Sequence, residues 1–377
     1  MRIRSGIGAL PPLIAALALA EGAGAAPYRP SDDNAVLEHL PPGALSAGDR
    51  RPAANAPEAA ALVARAYIER SRRDGDPRFL GYAEGVLRPW WSAPRPPAPV
   101  LLLRATLLQS RHRFDEALRD LDALLAVDPG SAQALLTRAT VLRVQGRYAE
   151  AERSCDALHG IASDFIAVLC SESVRGSSGG LPAAVRTLDA MALASAGVAP
   201  AVRTWYRAER AEMAERLGED AEALERYRTA IAEDAEDPLL RTAAADLLLR
   251  LARPREALQV VGEEPVADAL RLRTVLASRA LGTPRADLEA ALAESHAASH
   301  RRGEDVHLRE EARFVLDVLG DAPRALSLAE QNWAVQREPA DALLLQTAAR
   351  AARRPDAEEP LRRWLRESRL QDARLAR

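Results

Sequence analysis

The sequence predicts an all-α chain built as a solenoid of stacked helical hairpins, and three observations lead there. Helical periodicity runs onward from Glu58 without a convincing alternating strand. Short Gly, Pro or Asp turns interrupt it at hairpin-like intervals. Most specifically, residues 101–124, LLLRATLLQSRHRFDEALRDLDAL, superpose without a gap on residues 135–158, LLTRATVLRVQGRYAEAERSCDAL, at a shift of 34 residues.

Taken in order, the chain opens with Arg2 and Arg4, then the apolar run LIAALALA at 13–20 and small residues in which Ala23-Gly24-Ala25 fits a cleavage site. Residues 1–26 therefore read as a secretory signal peptide. The run is too short to span a bilayer and no Cys follows it to accept a lipid, so no stable membrane insertion is expected. Residues 27–57 are rich in Pro, Ala, Gly and Asp and read as a flexible linker. Residues 58–377 form the expected solenoid. Its first unit exits through RPWWSAPRPPAPV at 88–100, read as a loop that separates an N-terminal cap from the regular stack, with Trp90 and Trp91 stapling it down. Two stretches, 171–182 and 280–305, distort or lengthen their units. A hairpin returns at 309–335 with Gly320 at its turn, and 358–375, with Leu361, Trp364 and Leu365 on one face, suits a capping helix.

The repeat has a physical logic. In the 34-residue register Arg104 matches Arg138, Ala105 matches Ala139, Phe114 matches Tyr148, and Ala117 matches Ala151, with Ala83 one period earlier and Ala223 and Ala257 again 34 apart. A small residue where two helices cross lets their backbones approach, and the aromatic opening the second helix fills the space beside it. No such hairpin buries its apolar stripe alone, so neighbours must stack.

These residues resemble the tetratricopeptide repeat family. The small eighth position (Ala105, Ala139, Ala211), the glycine at the fifteenth (Gly146, Gly218), the aromatic at the seventeenth (Phe114, Tyr148), the alanine at the twentieth (Ala117, Ala151, Ala223, Ala257) and the closing Pro129 carry the resemblance. It is strong over 98–161 and good over 204–264. The resemblance implies a right-handed α-α superhelical solenoid that holds a protein or extended peptide in the groove lined by the first helix of each unit. Its frame places Thr106, Gln109, Thr140, Arg143, Glu212, Glu215, Asp246 and Arg250 on that groove, beside Leu102, Leu136 and Leu249. The early wall would be neutral to basic and the later one acidic, which would orient an extended partner. Some family members clamp a terminal carboxylate through Lys and Asn; this chain has no Lys, and Leu102, Thr106, Leu136 and Thr140 stand there instead. Arg104 and Arg138 sit beside the crossing alanines and read as structural.

Composition narrows the function further. Aromatics are 4% of the chain and the net charge is -3, which lacks both the stacking surfaces and the basic excess of nucleic-acid binders. Cys155 and Cys170 are an even pair, compatible with one disulfide in an oxidising compartment or with two reduced core cysteines. His296, His300 and His307 form the densest group of potential ligands, raw material for a metal site that gives an alternative reading as a metal-binding accessory protein, although His-x3-His alone is a weak signal. No phosphate loop, H-E-x-x-H, C-x-x-C or G-x-S-x-G appears, so neither an enzyme nor a cofactor is expected. The sequence therefore points to an exported bacterial scaffold or adaptor, periplasmic or secreted, that binds other proteins.

Overall fold

The computed structural model describes residues 56–263, 265–301 and 308–375, and these contain helices and turns but no strand. The signal peptide and nearly all of the expected linker lie outside the described residues, as does His307. Helices pair in sequence: α1 (Pro57–Asp74) with α2 (Arg78–Trp91), α3 (Ala98–Ser110) with α4 (Phe114–Val127), α5 (Ala132–Val144) with α6 (Tyr148–Asp156), and α7 (Asp164–Ser177) with α8 (Leu181–Ala190). Then come α9 (Pro200–Leu217) with α10 (Asp220–Glu233), α11 (Pro238–Arg250) with α12 (Pro254–Val261), α13 (Asp268–Ala280) with α14 (Ala286–Arg301), and α15 (Leu308–Asp317) with α16 (Ala322–Val335). The last pair is α17 (Pro339–Ala351) and α18 (Glu359–Ser368), joined by a 3-10 turn at Pro355–Glu358. Among the described residues no helix is long and apolar enough to cross a membrane.

Local chemistry sets where these helices start and stop. Proline opens α9, α11, α12 and α17, where its missing N–H would be unpaired in any case. The Asp237 carboxylate accepts from the backbone N–H of Leu239 and Leu240 at the start of α11, and Asp321 does the same for Arg324 in α16. Glu338 and Asp341 cap α17 reciprocally. Gly218 ends α9 in the left-handed conformation with φ 82°, and Gly320 makes the predicted turn with φ 71°.

The alanines matched by sequence are the helix crossings. Ala83, Ala105, Ala117, Ala151, Ala211, Ala223 and Ala257 are fully buried, and Phe114 and Tyr148 lie buried at the first position of their second helices. Arginine next to the crossing alanine clamps neighbouring hairpins together. Arg104 bonds Asp120 on α4 and the carbonyl of Trp91 at the end of α2. In the same register Arg138 donates to Asp122 on α4 and to Ser154 on α6, each at 2.8 Å. Arg210, beside Ala211, reaches back to Asp189 on α8 at 2.7 Å. The structural role expected for Arg104 and Arg138 is therefore what the side chains perform.

Three sequence expectations change. The helix α2 runs through Trp91, so both tryptophans are helical rather than part of the Pro-rich loop; they pack on the N-terminal core around Leu87 and Leu103. Pro89 lies inside the last turn of α2, which forgoes the backbone hydrogen bond to the Gly85 carbonyl there. The stretch 280–305, expected to distort its unit, carries a regular helix, since α14 extends to Arg301 and His296 is buried against Phe314 with ring centroids 5.6 Å apart. Finally, α18 does more than close the end of the stack. Trp364 packs edge-on against Trp333 of α16 at 5.0 Å and meets Tyr148 of α6 at 6.3 Å, which merges the last hairpins and the third into one core. At the other end, Arg72 of α1 lies 3.5 Å from Asp237, and Gly75 packs so closely on Ala267 that a Cβ there would sit 2.6 Å from the alanine methyl. The first hairpin thus touches the segment leading into α13.

The cysteines resolve to one bridge. Cys155 of α6 and Cys170 of α7, both buried, are joined, with Cα atoms 5.4 Å apart. The bond ties the third hairpin to the fourth.

Candidate functional site

The candidates of the sequence frame lie on α3, α5, α9 and α11, each the first helix of its hairpin. Two sectors differ in kind. On α3 and α5, Leu102, Thr106, Gln109 and Leu136 are half-buried and Thr140 is exposed. Thr106 and Thr140 donate their hydroxyl hydrogens to the carbonyls of Leu102 and Leu136, one turn back in their own helices. Their methyl groups and the leucines are left as a mildly apolar surface edged by the amide of Gln109.

The second sector is a network of ion pairs. Arg143 of α5 reaches across to Glu209 of α9, with Nη2 3.0 Å from Oε1. Burial opposes the Arg143 charge, but Glu209, Glu212 and Glu338 outweigh it and hold the guanidinium above the ordinary arginine range. Glu212, 3.9 Å from Arg216, has its pKa raised by burial first and by the Glu209 carboxylate second. Glu215 is buried and receives Arg374 at 2.7 Å and Arg250 at 3.3 Å on the same carboxylate oxygen, while Arg250 also holds Asp220 at 2.7 Å. Asp246 accepts from Arg273 of α13 and Arg313 of α15, each at 2.7 Å. Burial works against that carboxylate's charge, yet the two guanidiniums carry its pKa well below the usual range.

The eight predicted residues lie on α3, α5, α9 and α11, each the first helix of its hairpin, and have unequal tasks. The acidic wall expected from Glu212, Glu215 and Asp246 is neutralised by Arg216, Arg250, Arg374, Arg273 and Arg313, so the two ends of the groove do not carry opposite signs. Arg250 was already among the candidates and Arg216 lies on α9 itself, but sequence reasoning missed Arg273, Arg313 and Arg374 because they lie far along the chain, as far as 159 residues away for Arg374.

Arg369 leaves α18 in the left-handed conformation, and residues 369–375 then run along the turns of the fourth and fifth hairpins, continuing the contact that Trp364 of α18 makes with the third. Trp364 rests on Gly146, Arg369 on Gly179 and Ala373 on Gly218, where an added Cβ would lie 2.9, 2.8 and 3.4 Å from the nearest atom. All three glycines have positive φ. Polar bonds hold the segment: Ala373 N–H donates to the Arg216 carbonyl at 2.8 Å, Arg216 Nε donates to the Gln371 carbonyl at 3.3 Å, and Leu181 N–H donates to Gln371 Oε1 at 3.1 Å.

The histidine alternative has less to build on. His300 bonds Glu311 at 2.8 Å while His296 stacks on Phe314. Among the described residues no three His, Cys, Asp or Glu side chains converge in a way that could hold a metal ion.

Comparison with known proteins agrees with the repeat reading where the register is strongest. Residues 102–164 match the profile of the tetratricopeptide repeat family. No curated protein matches the chain. Among solved structures it is similar to a tetratricopeptide repeat protein from Parabacteroides merdae ATCC 43184, at 15% identity and a TM-score of 0.37, covering 76% of this chain and 98% of that one. It is also similar to the TPR domain of P58(IPK), at 16% identity and a TM-score of 0.24 over 77% of this chain and 98% of that one. Yeast Tom70 is similar at 9% identity and a TM-score of 0.24, over 84% of this chain and 92% of that one.

Proposed function

We propose that this chain is a non-enzymatic scaffold of the bacterial cell envelope that holds a protein partner against the wall formed by α3 and α5. One observation carries the reading: Leu102, Thr106, Gln109, Leu136 and Thr140, on the adjacent helices α3 and α5, are all at least partly exposed, whereas Arg143, Glu215, Asp246 and Arg250 are engaged in ion pairs within the chain. A surface of leucine, threonine methyl and amide suits an extended segment with alternating apolar and amide side chains, which it would recognise by shape and hydrogen bonds. Export is supported by the leader-like residues 1–26, and the Cys155–Cys170 bridge suits an oxidising compartment.

The test is capture from envelope extracts with the wild-type chain and with a Thr106→Arg, Thr140→Arg variant of equal melting temperature. The variant is expected to lose the partner that the wild type retains. Retention of the same partner by both would exclude the α3–α5 wall.

A further inference from the structure

The seat under the chain's last residues is built like a peptide-recognition groove that is filled from within. Residues 369–375 leave the helical fold and are held by hydrogen bonds from Ala373, Gln371 and Arg216, supplemented by the Arg374–Glu215 pair. Asp372 lies 2.6 Å from Arg374 on the same segment and so aims the guanidinium at Glu215. Leu370, 9% exposed, and the partly buried Leu375 are the strap side chains that touch the core cluster. The contrast with α18 is sharp, because that helix is anchored by Leu361 and Trp364 in the core. A segment outside any helix that rests largely on polar bonds opens more readily than a helix held by fully buried apolar side chains.

Opening would leave specific chemistry behind. The Glu215 carboxylate would lose its 2.7 Å arginine partner, the Arg216 carbonyl and the Leu181 N–H would lose theirs, and the turns at Gly179 and Gly218 would form a shallow track with room for a backbone. A cleft of about 510 Å³ continues the track, lined by Tyr148, Ser178, Arg337, Trp364 and Arg369. We propose that this track is a second protein-binding site, closed in cis by residues 369–375, and that it takes an extended partner segment carrying the same pattern: an apolar residue, one spacer, Asp, a small residue and Arg. The site is separate from the α3–α5 wall and does not depend on it.

The experiment uses a fluorescein-labelled peptide of residues 368–375, SRLQDARL, with the full chain. Arg374→Glu repels the chain's own strap from Glu215 while the peptide keeps its arginine. This variant is expected to bind the peptide at least tenfold more tightly than wild type. A Glu215→Arg, Arg374→Glu double variant, which restores the pair with signs exchanged and repels the peptide, is expected to return to weak binding. A folded Arg374→Glu chain that binds no better than wild type overturns the proposal. So does strap exchange between copies, seen as a dimer by light scattering, since it would assign the seat to a second copy. Should Arg374→Glu fail to fold, hydrogen exchange on the wild type decides. The Ala373 amide is expected to exchange at least a hundredfold faster than that of Leu247 inside α11, and equal protection would overturn the proposal. Thr106→Arg, Thr140→Arg is expected to leave peptide binding unchanged, so the two sites fail or stand separately.

Discussion

Arg104 and Asp120 face each other across the α3–α4 hairpin as a two-pronged pair, with Nε and Nη2 each 2.6 Å from a carboxylate oxygen and both side chains largely buried. One register later Ser154 stands at the Asp120 position and accepts from Arg138, which finds its carboxylate in Asp122 of the preceding hairpin. The same scaffold position is thus filled once by a charged acceptor and once by a neutral one. Removing one member of a buried charge pair leaves the other uncompensated, so Asp120→Ala is expected to lower stability by about 3 kcal/mol. Ser154→Ala, which removes a hydroxyl, should cost about 1 kcal/mol. Urea denaturation of both variants measures the difference.

The glycine turns allow an internal comparison. Gly146 and Gly160 both have positive φ, but a Cβ at Gly146 would meet Trp364 at 2.9 Å whereas Gly160 has nothing within 4 Å. Alanine at Gly160 is expected to cost about 1 kcal/mol, the backbone strain alone. Alanine at Gly146 should cost about 1 kcal/mol more, because the Trp364 ring must move. Thermal melts of the two variants isolate the contribution of α18.

The bridge between α6 and α7 has a defined worth. Cys155 and Cys170 are 15 residues apart, and a loop of that size corresponds to about 3 kcal/mol in the chain-entropy treatment of cross-links. Reduction, or a Cys155→Ser, Cys170→Ser variant, is expected to lower stability by that order. Hydrogen exchange should place the loss in the third and fourth hairpins.

Two carboxylates are expected to give opposite pH signatures. The Asp246 pKa is depressed in the folded chain, so its contribution is complete above the ordinary Asp value of about 3.9 and is lost as pH falls below it toward the folded value. Asp246→Asn should be less stable than wild type at neutral pH, with the gap closing only in acid. Glu172 behaves in reverse, since burial raises its pKa and its Oε2 is buried with no hydrogen-bond partner. Its charge weakens the fold increasingly as pH rises from the ordinary Glu value of about 4.3 through the raised one. Glu172→Gln should therefore be more stable than wild type at neutral pH and equal to it in acid. Denaturant titrations between pH 3 and pH 8 check both signs.

Local pairing was legible because its signals are local. Ala105 and Ala117, or Ala139 and Ala151, lie within one hairpin, and their small size has a single geometric meaning where helices cross. The fourth hairpin was harder to read because the register slips near 171–182, which hid the equivalence of Gly179 with Gly146 and Gly218. The strap could not be read at all: Gln371 meets Leu181 across 190 residues, through hydrogen bonds that leave no periodic trace in sequence. The groove residues failed in the same way. Asp246 looks like a free acid until Arg313, 67 residues later, is brought beside it by the stacking of α11, α13 and α15.

A linear stack of hairpins can peel from either end, each loss leaving the remainder intact. Here Arg72 and Gly75 tie the first hairpin to Asp237 and Ala267, and Trp364 ties the last to Tyr148. Among the described residues neither the first nor the last hairpin is a free edge from which melting can start, so the hairpins are expected to denature as one cooperative event, the way a closed hoop fails.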